Sequence, residues 1–441
     1  MLIEAVREVA RAAPDRAALR TDAGATSYAE LAGRAEVLAS GLAGRGLQRF
    51  GVAVDDRVEA VALLAASSLL GAEACIYPAT ATGDERAQLA ARLQHQAVVT
   101  DDDLDDLASG EPFTGDAPAD GSVMILTTGT TGPPKGARHE WARLLAGVRR
   151  GVRPEARWLL AYNLNQFAGM QVLLHAIANA GTLVLPPSNR PRDALATMRA
   201  HGVTHASATP TFWRFLTTLL DDGEPAPSLE QITLGGEAIP PGLVDELTRR
   251  FPGARVSQVY ASTEFGSAVS VRDDRIGLPI DVLDRGDDAD VQFKIVDGEL
   301  YARSRVGMLG YHGDESQAAD PDGWRPTGDV VEIEGDRILF AGRTSEVINV
   351  GGVKVHPLPI ETVISRVEGV ALVHAFGRPN ALAGNIVAVK VVPVAGTDTD
   401  DLDRRIRAAC ADLPPAARPR SIKYVDSMDT FGNKLSRKGT S

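Results

Sequence analysis

Short β-branched and aliphatic runs alternate with alanine- and leucine-rich stretches along most of the chain, and this alternation predicts parallel sheets covered by helices. Apolar residues recur at helical spacing over 30–46, which predicts an amphipathic helix. Gly181-Thr182-Leu183-Val184-Leu185-Pro186 and His205-Ala206-Ser207-Ala208-Thr209 read as strands, with helices over 194–201 and 211–220 beside them. Residues 60–72 are the most apolar stretch; Ser67 and Ser68 interrupt it and Glu59 and Glu73 bound it, so it is too short to span a bilayer and predicts a buried helix. Near Asp290 the pattern changes. Val291-Gln292-Phe293-Lys294-Ile295-Val296, the turn pair Asp297-Gly298 and Glu299-Leu300-Tyr301-Ala302 spell a hairpin and announce a small β-rich subdomain at about 282–341. Beyond Gly342 come helices over 360–367 and 400–411 and extended segments over 370–376 and 386–393. The expected fold is α/β: a large N-terminal domain (1–341) of helix-covered, mostly parallel sheets with the β-rich subdomain, then a small α+β C-terminal domain (342–441).

With 441 residues the chain exceeds one ordinary core. Its 46 basic and 58 acidic residues give a net charge of −12, which argues against nucleic acid or an anionic membrane surface as partner. Cys75 and Cys410 are the only cysteines and the histidines show no ligand spacing, so neither a disulfide framework nor a zinc site is expected. The N-terminal residues carry charges at helical spacing and lack the features of a signal peptide, which makes the cytoplasm the default compartment. Monomer and homodimer both stay open.

The chemistry is concentrated first in Val123-Met124-Ile125-Leu126-Thr127-Thr128-Gly129-Thr130-Thr131-Gly132-Pro133-Pro134-Lys135-Gly136. Glycines admit backbone N–H groups to phosphoryl oxygens, the threonine hydroxyls donate to them, and Lys135 adds a cation. The spacing is not that of a Walker loop, because prolines precede Lys135. The segment resembles the phosphate loop of the adenylate-forming superfamily, which contains acyl-CoA synthetases, adenylation domains and luciferases. The resemblance extends over nearly the whole chain. Gly235-Gly236-Glu237, after the strand-like Ile232-Thr233-Leu234, matches the wall of the adenine and acyl pocket; bare glycine backbone suits a flat purine. Tyr260-Ala261-Ser262-Thr263-Glu264 matches the motif in which the threonine meets the α-phosphate and the glutamate holds magnesium. Asp329, in Thr327-Gly328-Asp329, matches the ribose ligand, and Arg343 the arginine at the domain junction. Lys434 corresponds to the catalytic lysine of a mobile C-terminal lid, although Asn433 and Met428 depart from the usual glycine and proline.

The resemblance implies attack of a carboxylate on the α-phosphate of ATP with Mg2+, release of pyrophosphate, and transfer of the acyl group to a pantetheine thiol of coenzyme A or of a carrier protein. Gly351 and Gly352 correspond to the loop lining the thiol channel, whereas Ser345 stands at the hinge where Asp or Lys is usual. Asn163, Gln166, Phe167 and Gly169 fall in the substrate-pocket region, and a small aryl or polar short-chain acid is expected; Phe167, Phe212 and Trp213 equally suit packing. Transfer to a nitrogen nucleophile and a non-catalytic nucleotide-binding role are the alternatives.

Overall fold

The computed structural model describes residues 1–127, 133–220, 225–273, 275–314, 319–394, 396–428, 430–431 and 434–435, the last two pairs by their backbone alone. Two sheets with parallel cores dominate its first part. The larger has eight strands in the order Gly266–Val271, Arg255–Ser262, Gln231–Gly235, His205–Ala208, Arg157–Leu160, Thr182–Val184, Ala17–Thr21 and Gly24–Ser27; its six inner strands are parallel and both edge strands antiparallel. The second has six, in the order Gly310–Tyr311, Lys135–Glu140, Ser122–Thr127, Glu73–Ile76, Arg49–Ala53 and Val98–Thr100. A continuous core joins them. Phe50, Val52, Val123 and Ile125 of one sheet and Leu19, Leu160 and Leu183 of the other meet through the helices Leu2–Ala12, Tyr28–Gly44, Arg57–Leu70 and Phe167–Ala178.

Local chemistry sets these helices. Ser27 and Glu30 form a reciprocal capping box at the start of Tyr28–Gly44, and Asp56 caps Arg57–Leu70 through the Val58 N–H. The latter helix is buried from Ala60 to Leu69. Its two serines tolerate this because Ser67 donates to the Leu64 carbonyl (2.9 Å) and Ser68 to that of Ala65 (2.8 Å) while accepting from Ile3 N (3.0 Å). Gly71 closes the helix at φ 71° with Pro118 packed against it, a place no side chain could take without displacing that ring.

The β-rich unit is an antiparallel sheet ordered Leu278–Pro279, Arg337–Arg343, Trp324–Glu334, Glu299–Ser304 and Val291–Val296. Asp297 and Gly298 make its tight turn with φ of 50° and 79°. The chain then passes through the short turn Thr344–Glu346, which contains Ser345, into a unit with its own core. Here Ile348–Val350 pairs with Val353–Val355 and with Gly384–Pro393, which in turn pairs with Val370–Asn380 and Ser421–Tyr424; Pro357–Ser365 and Thr399–Ala409 are its helices. Both cysteines are buried and unbridged. No helix among the described residues is long and apolar enough to cross a membrane.

Candidate active site

Four of the segments singled out by motif lie at or just beyond the carboxyl ends of the parallel strands, where open α/β sheets place their ligands, whereas Asp329 and Arg343 stand on the antiparallel β-rich sheet. Residues 163–169 follow the strand Arg157–Leu160, Gly235–Glu237 end the strand Gln231–Gly235, and Thr263–Glu264 follow Arg255–Ser262. Thr127 ends the strand that leads into the phosphate loop. Thr128, Gly129, Thr130, Thr131 and Gly132 lie outside the described residues.

One corner of the site is built around Glu264. Ser262 Oγ accepts from the N–H groups of Glu264 (3.1 Å) and Phe265 (3.3 Å), which fixes the turn after the strand. The Glu264 carbonyl accepts from Met308 N at 3.1 Å. The Tyr311 hydroxyl donates to Glu264 Oε1 at 2.5 Å and accepts from Thr127 Oγ1 at 3.5 Å, linking the glutamate to the phosphate strand. Burial, then the neighbouring carboxylate, push the Tyr311 phenol well above its ordinary range, so it remains a donor. A single oriented carboxylate beside a threonine hydroxyl suits magnesium, a hard cation that completes its shell with phosphates and water. Lys135 is placed beside this corner, with its ammonium 2.7 Å from Asp314 Oδ2 and 5.2 Å from the centre of the Tyr311 ring. Sequence reasoning missed Tyr311 and Asp314; both stand in the Gly-Tyr-His-Gly-Asp segment 310–314, whose strand Gly310–Tyr311 pairs with Lys135–Glu140.

A second corner, around Asp329, is equally well connected. Asp329 is buried, and its carboxylate accepts from Tyr260 Oη (2.6 Å) on one oxygen and Arg343 Nε (2.8 Å) on the other. Each oxygen keeps a second lone pair, so the group can still accept from a vicinal diol. Thr327 Oγ1 accepts from Asp329 N (3.1 Å) and donates to the Leu300 carbonyl (2.8 Å), which holds the Thr-Gly-Asp turn on the β-rich sheet. Tyr260 packs among Phe265, Phe293 and Phe340 with ring centroids 5.3, 6.0 and 5.0 Å away. Burial, and then Asp329, raise its phenol as well. Ala261 lies between these two corners on the same strand.

On the acyl side Tyr162 is buried and donates to the Gly235 carbonyl at 3.2 Å. Asn163 N donates to Gln166 Oε1 (3.2 Å), and Asn163 Oδ1 accepts from Asn189 Nδ2 (2.6 Å). Asn189 in turn accepts from Arg57 at 3.1 Å, and burial lowers the Arg57 guanidinium pKa. Neither Arg57 nor Asn189 belongs to a recognisable motif; only folding brings them to Asn163. Gly169 is a packing requirement, since a Cβ there would stand 2.1 Å from the Asn163 carbonyl oxygen. Glu237 accepts from Thr211 N at 3.1 Å and caps the helix Pro210–Leu220, while Gly236 takes φ 84°. Phe212 and Trp213 are core residues behind it. Phe167 is buried and faces the ring of His139 at 5.7 Å. His139 is fully buried, and burial pulls its pKa down to about 3 against a weaker opposing effect of the Thr263 backbone.

The C-terminal unit meets the helix Pro210–Leu220 at two places. The two-residue strands Thr430–Phe431 and Lys434–Leu435 pair as a hairpin, and the second runs beside the helix Pro210–Leu220; the Lys434 side chain and Asn433 lie outside the described residues. Arg214 of the same helix donates to the Val370 carbonyl at 3.2 Å. Gly351 and Gly352 form the turn of the hairpin between Ile348–Val350 and Val353–Val355, with φ of 58° and 88° and open space beside both.

Comparison with known proteins bears on the family and the fold. The family model for the AMP-binding enzyme matches residues 109–312, and that for the AMP-binding enzyme C-terminal domain matches 359–434. A 2-succinylbenzoate–CoA ligase from Bacillus velezensis is 27% identical over 429 residues, covering 88% of this chain and 86% of that protein. Among solved structures, an anthranilate CoA ligase in complex with anthranoyl-AMP superposes with TM-score 0.87 at 20% identity, over 99% of this chain and 95% of that one. The o-succinylbenzoate coenzyme A synthetase from Bacillus subtilis, in complex with ATP and magnesium ion, gives TM-score 0.79 at 22% identity over 98% of both chains. The chain belongs to the adenylate-forming superfamily of AMP-binding enzymes.

Proposed function

We propose that this enzyme is an AMP-forming acid–thiol ligase that activates a small aromatic or short polar carboxylic acid and transfers it to a pantetheine thiol, with coenzyme A as acceptor. The observation that carries the reading is that three sheets are joined through two preorganised carboxylates: Asp329 is bonded to Tyr260, and Glu264 through Tyr311 to Thr127, with Lys135 beside them. In this reading Asp329 and Arg343 hold the ribose, and the Gly235–Glu237 segment lines the adenine. Thr263 and the 127–132 loop hold the phosphates. Glu264 would hold magnesium, which would supply charge neutralisation at the phosphates. Lys434 stabilises the charge that develops between the attacking carboxylate and the α-phosphate.

The acid enters beside Tyr162, Asn163, Gln166 and Phe167. An aromatic ring and neutral amides suit a flat acid with a polar substituent, in keeping with the aromatic acids named for the related ligases. Gly351 and Gly352 serve the thiol step, and a carrier-protein pantetheine reaches the same place by the same chemistry. The test is pyrophosphate release from Mg-ATP across a panel of aromatic and short-chain acids, followed by product analysis with and without coenzyme A. Acid-dependent release with a thioester product supports the proposal. Release that yields an amide, in the presence of an amine and independent of any thiol, would move the reading to nitrogen transfer. Nucleotide binding with no release for any acid would point to a non-catalytic relative.

A further inference from the structure

Opposite the active edge, the amino-terminal ends of the strands carry a cluster of cations that the ligase reaction does not use. Arg149, Arg150 and Arg153 lie in the loop before the strand Arg157–Leu160; Arg255 begins the strand Arg255–Ser262, and Arg272 follows Gly266–Val271. All five are exposed, and none forms an ion pair among the described residues, in a chain whose net charge is −12. Arg149, Arg255 and Arg153 lie close enough to Arg272 to lower its pKa, after burial, by mutual repulsion. The acids nearby are Glu155 in the loop, Glu230 before the strand Gln231–Gly235, Asp273, which pairs with Arg337, and Glu4 beside the Met1 end of the chain; none of them pairs with the five arginines.

The loop is held rigidly. Buried Asn179 accepts from Gly151 N at 2.6 Å, donates to the Arg149 carbonyl at 3.2 Å, and accepts on its own carbonyl from Arg153 N at 2.8 Å. This clamp fixes the backbone while Arg149, Arg150 and Arg153 face solvent, and at the tip Val152 is 77% exposed. Arg150 also borders an open groove of about 520 Å³, otherwise lined by Met1, Ala142, Leu145, Ala146 and Val148. Like charges collected on a fixed frame without counter-ions cost stability, and an exposed valine among them gains nothing from water.

We propose that this face docks an acidic, amphipathic segment of a partner protein, with apolar side chains on Val152 and in the adjoining groove and carboxylates on Arg149, Arg150, Arg153 and Arg272. The groove favours a peptide over a nucleic acid, whose phosphates would use only the arginines. The net negative charge of the remainder favours it over an anionic membrane, which would repel the flanks of the patch. The eight-residue strand Arg255–Ser262 separates this face from the catalytic turn. At about 3.3 Å per residue that is roughly 23 Å, so a docked partner leaves the active edge open.

The test is fluorescence anisotropy with a labelled peptide of leucine and glutamate at amphipathic helical spacing. Comparison probes are the same peptide with lysine for glutamate, phosphatidylserine vesicles and a DNA duplex. The wild type should bind the acidic peptide in preference to all three, and added salt should weaken it. Arg149→Glu with Arg153→Glu should weaken binding about tenfold, whereas Arg404→Glu with Arg420→Glu, which changes net charge equally on the C-terminal unit, should leave it unchanged. Acid-dependent pyrophosphate release should be the same in both variants. If the double reversal does not fold, single Arg149→Gln and Arg153→Gln variants should weaken binding stepwise. Equal losses in the two double variants, no loss in the patch variant, or tighter binding of vesicles or duplex would overturn the proposal.

Discussion

Around Asp329 and Glu264 the polar contacts join a carboxylate to a donor, whereas around Asn163 they run between neutral amides and end on Arg57. The first arrangement is stiff, because hydrogen bonds to an ionised group are roughly twice as strong as those between neutral groups. The second can be exchanged for another amide pattern with less loss, since a neutral hydrogen bond contributes about 1 kcal/mol net. In the proposed reading, one site thus combines a nucleotide half that is fixed before the substrate arrives with an acyl half that can be retuned. The difference teaches where to look for chemistry and where to look for specificity.

The largest expected effect comes from Lys434. Lys434→Ala should slow adenylate formation by about a hundred- to a thousandfold, by analogy with loss of a single oxyanion donor, with little change in ATP affinity. Single-turnover pyrophosphate release beside equilibrium ATP binding checks this, and an unaltered rate would remove the lysine from the chemistry. Next, Asp329→Ala leaves Tyr260 Oη and Arg343 Nε without their acceptor. This should cost about 2–3 kcal/mol, or roughly thirty- to a hundredfold in the KM for ATP, while the order of preference among acids is kept. Asn163→Ala should do the reverse. It should change the ratio of kcat/KM between two aromatic acids by about tenfold and the KM for ATP by less than about twofold. Equal effects of both substitutions on nucleotide and acid would erase the distinction between the halves.

A separate effect is read in stability. His139 lies between the halves, near the Thr263 backbone and against Phe167. Its folded pKa of about 3 lies below the ordinary 6.5, so in that window the unfolded chain binds a proton that the folded chain does not. Stability from this group is therefore complete above 6.5 and falls as pH drops towards 3, by at most about 1.4 kcal/mol per pH unit. His95 and His175, each lowered to about 4 with burial as the largest cause, act with the same sign. Melting temperatures measured from neutral pH down to pH 4 should fall less steeply for His139→Gln than for the wild type.

Much of this was legible in the sequence where local rules decide. The alternation of strand and helix, the buried helix around Ser67 and the Asp297-Gly298 hairpin follow from periodicity and turn chemistry, and the structure places them within a few residues of the expected limits. Tyr260, Glu264 and Asp329 were marked by short motifs, yet their mutual contacts were not, because Tyr260 and Asp329 are 69 positions apart and Tyr311 and Glu264 are 47 apart. Arg57 escaped notice for the same reason; it reaches Asn189 across 132 positions, and no local pattern records such a contact. Gly169 falls in the pocket region by its place in the sequence, and its close approach to the Asn163 carbonyl is visible only in the fold. The Arg149–Arg153 cluster was hidden by the acidic total, since net charge averages over a surface that folding divides.

The most direct test of the central claim is single-turnover mass spectrometry of the purified protein with Mg-ATP, an aromatic acid panel and coenzyme A. An acyl-adenylate should form with at least one acid in the absence of coenzyme A, then disappear as the acyl thioester and AMP appear when the thiol is added. An adenylate that persists in the presence of coenzyme A would contradict thiol transfer, and ATP bound without any acid-dependent adenylate would contradict acid activation itself.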